Sequence, residues 1–102
     1  MERIDVSDPG GFFDIVAGTS RSQAATMVLQ PGKTTGGPEN RHEDADQWLY
    51  VARGSGTATV AGERVEIASG DLLLIEAGET HEIRAGEEGP LVTVNVYAPP
   101  AY

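Results

Sequence analysis

Short apolar stretches, each ended by glycine or proline, divide this chain into strand-length pieces. Phe12 to Ala17 reads as a first strand, and Ala24 to Leu29 as a second that Gln30-Pro31-Gly32 closes. Glu39 to His42 reads as extended. From Gln47 to Arg53 side chains alternate, with Trp48 and Tyr50 on one face and Leu49 and Val51 on the other. Gly54-Ser55-Gly56 is expected to turn the chain. Thr57 to Val60 and Arg64 to Ile67 flank Ala61-Gly62-Glu63 as a hairpin. After the turn at Ser69-Gly70-Asp71, the apolar run Asp71 to Ile75 reads as a buried strand. Thr80 to Arg84 and Leu91 to Ala98 complete the set, and Pro99-Pro100 ends regular structure. No window carries a 3.6-residue apolar period, so eight to ten strands and almost no helix are expected. A closed antiparallel barrel would remove the edges such strands expose. Met27, Leu29, Leu49 and Val51 are expected to line its interior. Trp48 and Tyr50 are expected to serve packing, not substrate stacking.

The length of 102 residues fits one domain, residues 1–102, with thin reserves of stability. The 16 acidic residues outnumber the 7 basic ones and give a formal charge of −9, which argues against a nucleic-acid partner or an anionic membrane surface. Without cysteine, disulfides and thiolate metal sites are excluded. The acidic opening, MERIDVSDPGG, lacks the apolar region of a signal peptide, and no apolar run is long enough for a membrane helix. A cytoplasmic location is the default expectation.

The chemistry gathers around the two histidines, His42 and His81. Neutral imidazole suits zinc, iron, nickel and copper. Asn40 and His42 stand two apart and share a strand face. A polar turn, Glu43 to Asp46, leads to Gln47 at the start of the next strand, and His81 follows the Ala77-Gly78-Glu79 turn. If the sheets close into a small barrel, these four side chains meet at its mouth. Two imidazoles and two amide oxygens would then leave open positions on a six-coordinate metal. Two unrelated surface histidines are the alternative, and Asn40 has its own: a turn residue bonded to nearby backbone. The carboxylates of Glu39, Glu43, Asp44, Asp46, Glu79 and Glu82 lie near in sequence; one could act as a general base or replace Asn40, though a solvated rim is the simpler reading.

These spacings resemble those of a small single-domain cupin. The first cupin motif, G-x5-H-x-H-x3,4-E-x6-G, places its second histidine on His42, its glutamate on Gln47 and its closing glycine on Gly54. Its first histidine falls on Asn40, and its opening glycine is displaced, since Gly32 comes two residues early. The second motif, G-x5-P-x-G-x2-H-x3-N, runs from Gly70 through Glu76, Gly78 and His81 to Ala85 with every spacing kept. Glu76 and Ala85 depart from its proline and asparagine, neither a ligand position. The stretches SQAATMVLQPG, HEDADQW and VYAPP resemble the subgroup called mannose-6-phosphate-isomerase-like cupins, in which an Asp-Gln pair after the histidine is usual.

The resemblance implies an all-β double-stranded β-helix, or jelly-roll, cupin barrel with a metal inside one end. It implies a divalent ion (iron, manganese, nickel or zinc) held by Asn40, His42, Gln47 and His81. It also implies a homodimer, with the segment around Phe12 to Val16 added to the partner's sheet. The expected function is that of a metal-dependent enzyme, an oxygenase or an isomerase or lyase, acting on a small oxygen-rich anion or carbonyl compound. The alternatives are a sugar- or small-molecule-binding or sensor module without catalysis, and a purely structural cupin.

Overall fold

The structure, a computed structural model, describes residues 1–36 and 42–102. Among them are nine strands and no helix. Numbered along the chain, they are β1 (Phe13–Gly18), β2 (Gln23–Leu29), β3 (Thr34–Thr35), β4 (Asp46–Arg53), β5 (Ser55–Val60), β6 (Glu63–Ala68), β7 (Leu72–Ile75), β8 (His81–Ala85) and β9 (Leu91–Ala98). All pair antiparallel, in two sheets ordered β1-β2-β9-β4-β7 and β3-β8-β5-β6. The barrel is therefore of the two-sheet form, and among the described residues β1, β7, β3 and β6 are edges.

Alternation along β4 shows how the sequence selects this arrangement. Gln47, Leu49 and Val51 are buried, while Trp48 and Tyr50 face outward. Leu49 and Val51 meet Met27, Leu29 and Leu91 of the same sheet and Ala58, Ile67, Ile83 and Ala85 of the other to form the core. Burial of apolar side chains between two inner faces is the main stabilising term of such a sandwich. Trp48 and Tyr50 do not pack into the protomer as the sequence suggested, because no layer among the described residues covers the outer face of β4 and both stay exposed.

The chain changes sheets at Gly54, the one residue between β4 and β5. Its φ of 90° is disfavoured for any side chain, and a Cβ there would collide with the Pro90 carbonyl oxygen. The turn expected over three residues is thus a single-residue step, with Ser55 already in β5. The hairpin β5–β6 turns through Ala61 and Gly62, at φ 50° and 81°. Positive φ at both positions is the signature of a type I′ turn, which matches the twist of the flanking strands. The two-residue strand β3 went unforeseen, being too short to show a pattern.

β1 is hydrogen-bonded along its length to β2 of its own chain, and Val28 N–H donates to the Phe12 carbonyl. No helix among the described residues is long and apolar enough to cross a membrane.

Candidate metal centre

His42, Gln47 and His81 line one small cavity, of about 140 Å³, between the two sheets. Asn40, the fourth residue of the expected set, and Glu39 lie outside the described residues. Each of the other three is fixed by a different local device. Gln47 is the second residue of β4 and points inward with Leu49 and Val51. His81 opens β8 and is buried; the Glu79 carbonyl lies 3.4 Å from its Nδ1, and since a carbonyl only accepts, that contact places the ring proton on Nδ1. His42 precedes β4 and is half-buried, and its carbonyl accepts from Gly78 N–H at 2.8 Å. That bond ties the segment carrying the first histidine to the turn before the second.

The turn is braced by two of the carboxylates noted in the sequence. Asp46 Oδ1 accepts from Ala77 N–H at 2.9 Å, and Glu79 Oε1 from Glu76 N–H at 2.8 Å. These groups position the site by holding backbone. Glu43 and Asp44 are exposed, and Glu82 is half-buried on β8.

The rings of His42 and His81 lie with centroids 5.3 Å apart at 37°. Burial holds both imidazoles below the ordinary histidine pKa, for His42 helped by the neighbouring His81; the Glu79 hydrogen bond pulls His81 the other way. Both are therefore neutral near pH 7, the form that ligates metals.

Gln47 supplies the third donor. Its Nε2 donates to Asn95 Oδ1 at 3.1 Å, and Asn95 Nδ2 donates in turn to Thr93 Oγ1 at 3.0 Å. Asn95 and Thr93 are wholly buried on the inner face of β9. This chain of bonds fixes the amide and leaves Gln47 Oε1 as a buried oxygen with no hydrogen-bond partner among the described residues. Burying an unpaired amide oxygen costs roughly 1–3 kcal/mol, so such an atom calls for an occupant. A cation beside two neutral imidazoles meets that need, and the donor set fits a divalent metal. A cluster of three or more histidine, cysteine or acidic residues is absent among the described residues, so the set is neutral throughout.

Aromatic side chains that the sequence reading did not single out close the cavity. His42 meets Tyr97 and Tyr102 edge-on at 5.2 and 5.3 Å, and Phe13 lies 4.9 Å from Tyr102. The Tyr102 hydroxyl is 3.3 Å from His42 Nε2. Burial raises the pKa of both tyrosines, and the neighbouring Tyr102 raises that of Tyr97 further. The side chain of Gln23 clamps the Tyr102 backbone, donating to its carbonyl at 2.9 Å and accepting from its N–H at 3.0 Å. One signal was present for the β9 residues: Thr93, Asn95 and Tyr97 are polar positions on a face that strand alternation turns inward. A larger groove, of about 490 Å³, runs past Phe12, Leu29 and Lys33 and holds neither histidine.

Comparison with known proteins follows the same lines. A protein of Bacillus halodurans is similar over 89% of this chain and 72% of its own, at 27% identity and a TM-score of 0.84. A protein of Thermus thermophilus matches over 97% of this chain and 98% of its own, at 24% identity and a TM-score of 0.86, a likeness of fold. A predicted oxalate decarboxylase of Thermotoga maritima matches over 76% of this chain and 66% of its own, at 28% identity and a TM-score of 0.70. No curated protein sequence matches the chain. The family model described as "Cupin domain" matches residues 25–97, from β2 to β9 with both histidines between, and the chain belongs to that family.

Proposed function

We propose that this cupin binds a divalent metal through His42, Gln47 and His81 and acts on a small, oxygen-rich anion or carbonyl compound. The observation that carries the reading is the unpartnered Gln47 oxygen, buried beside two neutral imidazoles. When bound, a metal here would supply Lewis-acid polarisation of a substrate oxygen, or an oxygen-binding centre. The protein's own part is to hold three neutral donors in place. His81 is oriented by the Glu79 carbonyl, and Gln47 by Asn95 and Thr93. Outer partners of this kind set ligand tautomer and direction. Phe13, Tyr97 and Tyr102 exclude water from one side.

The ligand class follows from charge and size. A neutral donor set leaves the ion's positive charge uncancelled, which favours an anion chelating through two oxygens, such as a hydroxy acid, an enediolate or a dicarbonyl. The acidic surface opposes entry, but salt screens it over roughly 8 Å and barely screens an inner shell. At about 140 Å³ the cavity is well below the ~300–1,000 Å³ of drug-sized sites. The Thermotoga maritima relative is named for oxalate, a small dicarboxylate, and that name supports the class.

A binding or sensor module without catalysis is the second reading. It is favoured by two of the carboxylates close to the site in sequence, Asp46 and Glu79, being engaged with backbone.

The test is titration of Co(II) and Zn(II) into protein purified without chelator, followed by calorimetry and by the visible bands of cobalt. One ion per chain is expected, with loss of binding in the His42→Ala/His81→Ala double variant. Stoichiometric metal retained by that variant would show the assignment to be wrong.

A further inference from the structure

Gln23 and Tyr102 form a device that the metal reading leaves without a role. Gln23 is the first residue of β2 and is buried. Both ends of its amide go to the Tyr102 backbone, Nε2 donating to the carbonyl and Oε1 accepting from the N–H. The Tyr102 ring is held separately, with Phe13, Tyr97 and His42 at centroid distances of 4.9, 5.2 and 5.3 Å. Its hydroxyl ends 3.3 Å from His42 Nε2. Tyr102 is 60% exposed and so stands at the mouth of the cavity that it lines with both histidines and Gln47. Gln23, Phe13 and Tyr102 all lie outside residues 25–97, the span of the family model, so the arrangement is not part of that shared pattern.

Resting on the metal reading above, we propose that Tyr102 determines which anion the site prefers. Its hydroxyl caps His42 Nε2 in the empty site and, in the filled one, donates instead to an oxygen of the bound anion. The argument is one of exclusive valence. A ligating imidazole nitrogen carries no proton, so in that tautomer the hydroxyl is the donor of the contact. Nε2 has one lone pair, and the hydroxyl has one hydrogen. Once Nε2 serves as a ligand, its lone pair is spent and the hydroxyl hydrogen loses that acceptor. The freed donor stays in place, because neither the Gln23 clamp nor the ring contacts involve the hydroxyl. An anion at the site shares with it a cavity of about 140 Å³. A hydrogen bond to a charged oxygen is stronger than one to a neutral group, so the exchange favours the filled state. The donor discriminates among chelating anions. A hydroxy acid that chelates through its hydroxyl and one carboxylate oxygen keeps a second carboxylate oxygen to accept from Tyr102. A chelator with two oxygens in all has none to spare. The favoured class is therefore a carboxylate with a third oxygen.

The test compares two probes on Co(II)-filled protein by calorimetry: glycolate, which has the third oxygen, and acetohydroxamate, which chelates through two oxygens and has no other. Co(II) affinity itself is read from the visible bands. Tyr102→Phe should bind Co(II) more tightly than wild type, bind glycolate about tenfold more weakly, and leave acetohydroxamate unchanged. Gln23→Ala, which loosens the segment but keeps the hydroxyl, should move all three in the same direction, and adding it to Tyr102→Phe should cost no further glycolate affinity. A merely structural role would weaken metal and both probes together. Weaker Co(II) binding by Tyr102→Phe, equal losses of the two probes, or glycolate bound as well as by wild type would each overturn the proposal. So would a metal-filled wild type that takes up no glycolate. A wild type that binds no Co(II) would bring down the metal reading, and this inference with it, which keeps the two failures distinct.

Discussion

Exchanging Gln47 for glutamate tests the core of the candidate metal centre, because it changes one atom's chemistry and almost none of its shape. Gln47 is buried, and its Nε2 donates to Asn95 Oδ1. A carboxylate at this place has no hydrogen to donate, faces an acceptor, and must leave water. Without metal the new side chain in Gln47→Glu will take a proton instead, and the neutral carboxyl can again donate to Asn95. The penalty at a given pH is then limited by the free energy of protonation. With an unfolded-state pKa near 4.3, that limit is about 1.36 kcal/mol for each pH unit above it, or roughly 3.7 kcal/mol at pH 7. The sign is clear. The folded-state pKa of the new group is raised, so the folded chain binds more protons than the unfolded one and stability falls as pH rises from about 4.3. For a domain with ~5–15 kcal/mol in total, this is a large loss.

Metal should reverse it. A carboxylate ligand cancels one unit of the ion's charge and satisfies the orphaned oxygen position. Gln47→Glu should therefore be much less stable than wild type without metal at pH 7, nearly equal at pH 4.5, and more strongly stabilised than wild type by Co(II) or Zn(II). Urea melts from pH 4.5 to 8, with and without metal, measure all three. Its affinity for small carboxylates, by calorimetry on metal-filled protein, should fall below that of wild type. Equal stability of the two metal-free proteins across the pH range would refute the burial argument, and equal anion affinity would refute the charge argument.

Three further outcomes follow from the geometry. His42 and His81 are held neutral by burial, so they contribute stability that is full above the unfolded value of about 6.5 and is lost as pH falls through their lowered folded values; His42→Gln/His81→Gln should flatten urea stability between pH 5 and 7, and metal occupancy should fall below about pH 6. Tyr102→Phe removes the hydroxyl that lies 3.3 Å from His42 Nε2 and keeps the ring packing, so Co(II) should bind about fivefold more tightly if a neutral hydrogen bond of ~1 kcal/mol is lost; weaker binding would show the phenol to support the site. Ala61 occupies a left-handed conformation at φ 50°, and Ala61→Asn, which suits a type I′ turn, should raise stability by about 0.5–1 kcal/mol in thermal melts; an unchanged melting temperature would count against strain there.

The strands could be read from the sequence because each carries a period of two or a short apolar run between turn residues, and pairing then follows from which face is apolar. His42, Gln47 and His81 could be read because the residues between them are turns of fixed length, so spacing along the chain becomes position in space. The rest of the site lacked any such ruler. Asn95 is 48 residues from Gln47, and Tyr102 is 60 from His42. Nothing local distinguishes them until β9 is laid beside β4, when Tyr97 becomes the register partner of Gln47 and Asn95 that of Leu49.

The segment Trp48-Leu49-Tyr50-Val51 held a further message. A strand half covered by its own domain should alternate apolar with polar residues; one apolar on both faces is the mark of a strand buried on both. Among the described residues only the inner face of β4 is covered, by Ile83, Ala85 and the rest of the core. β7 and β9 repeat the pattern, with Leu72 and Leu74 outward on one and Val94 and Val96 on the other. Three adjacent strands with the same excess cannot be put down to chance placement of single apolar residues, each of which would be ordinary alone. The two-sided pattern therefore reads as that of a sheet with a further apolar layer over its outer face.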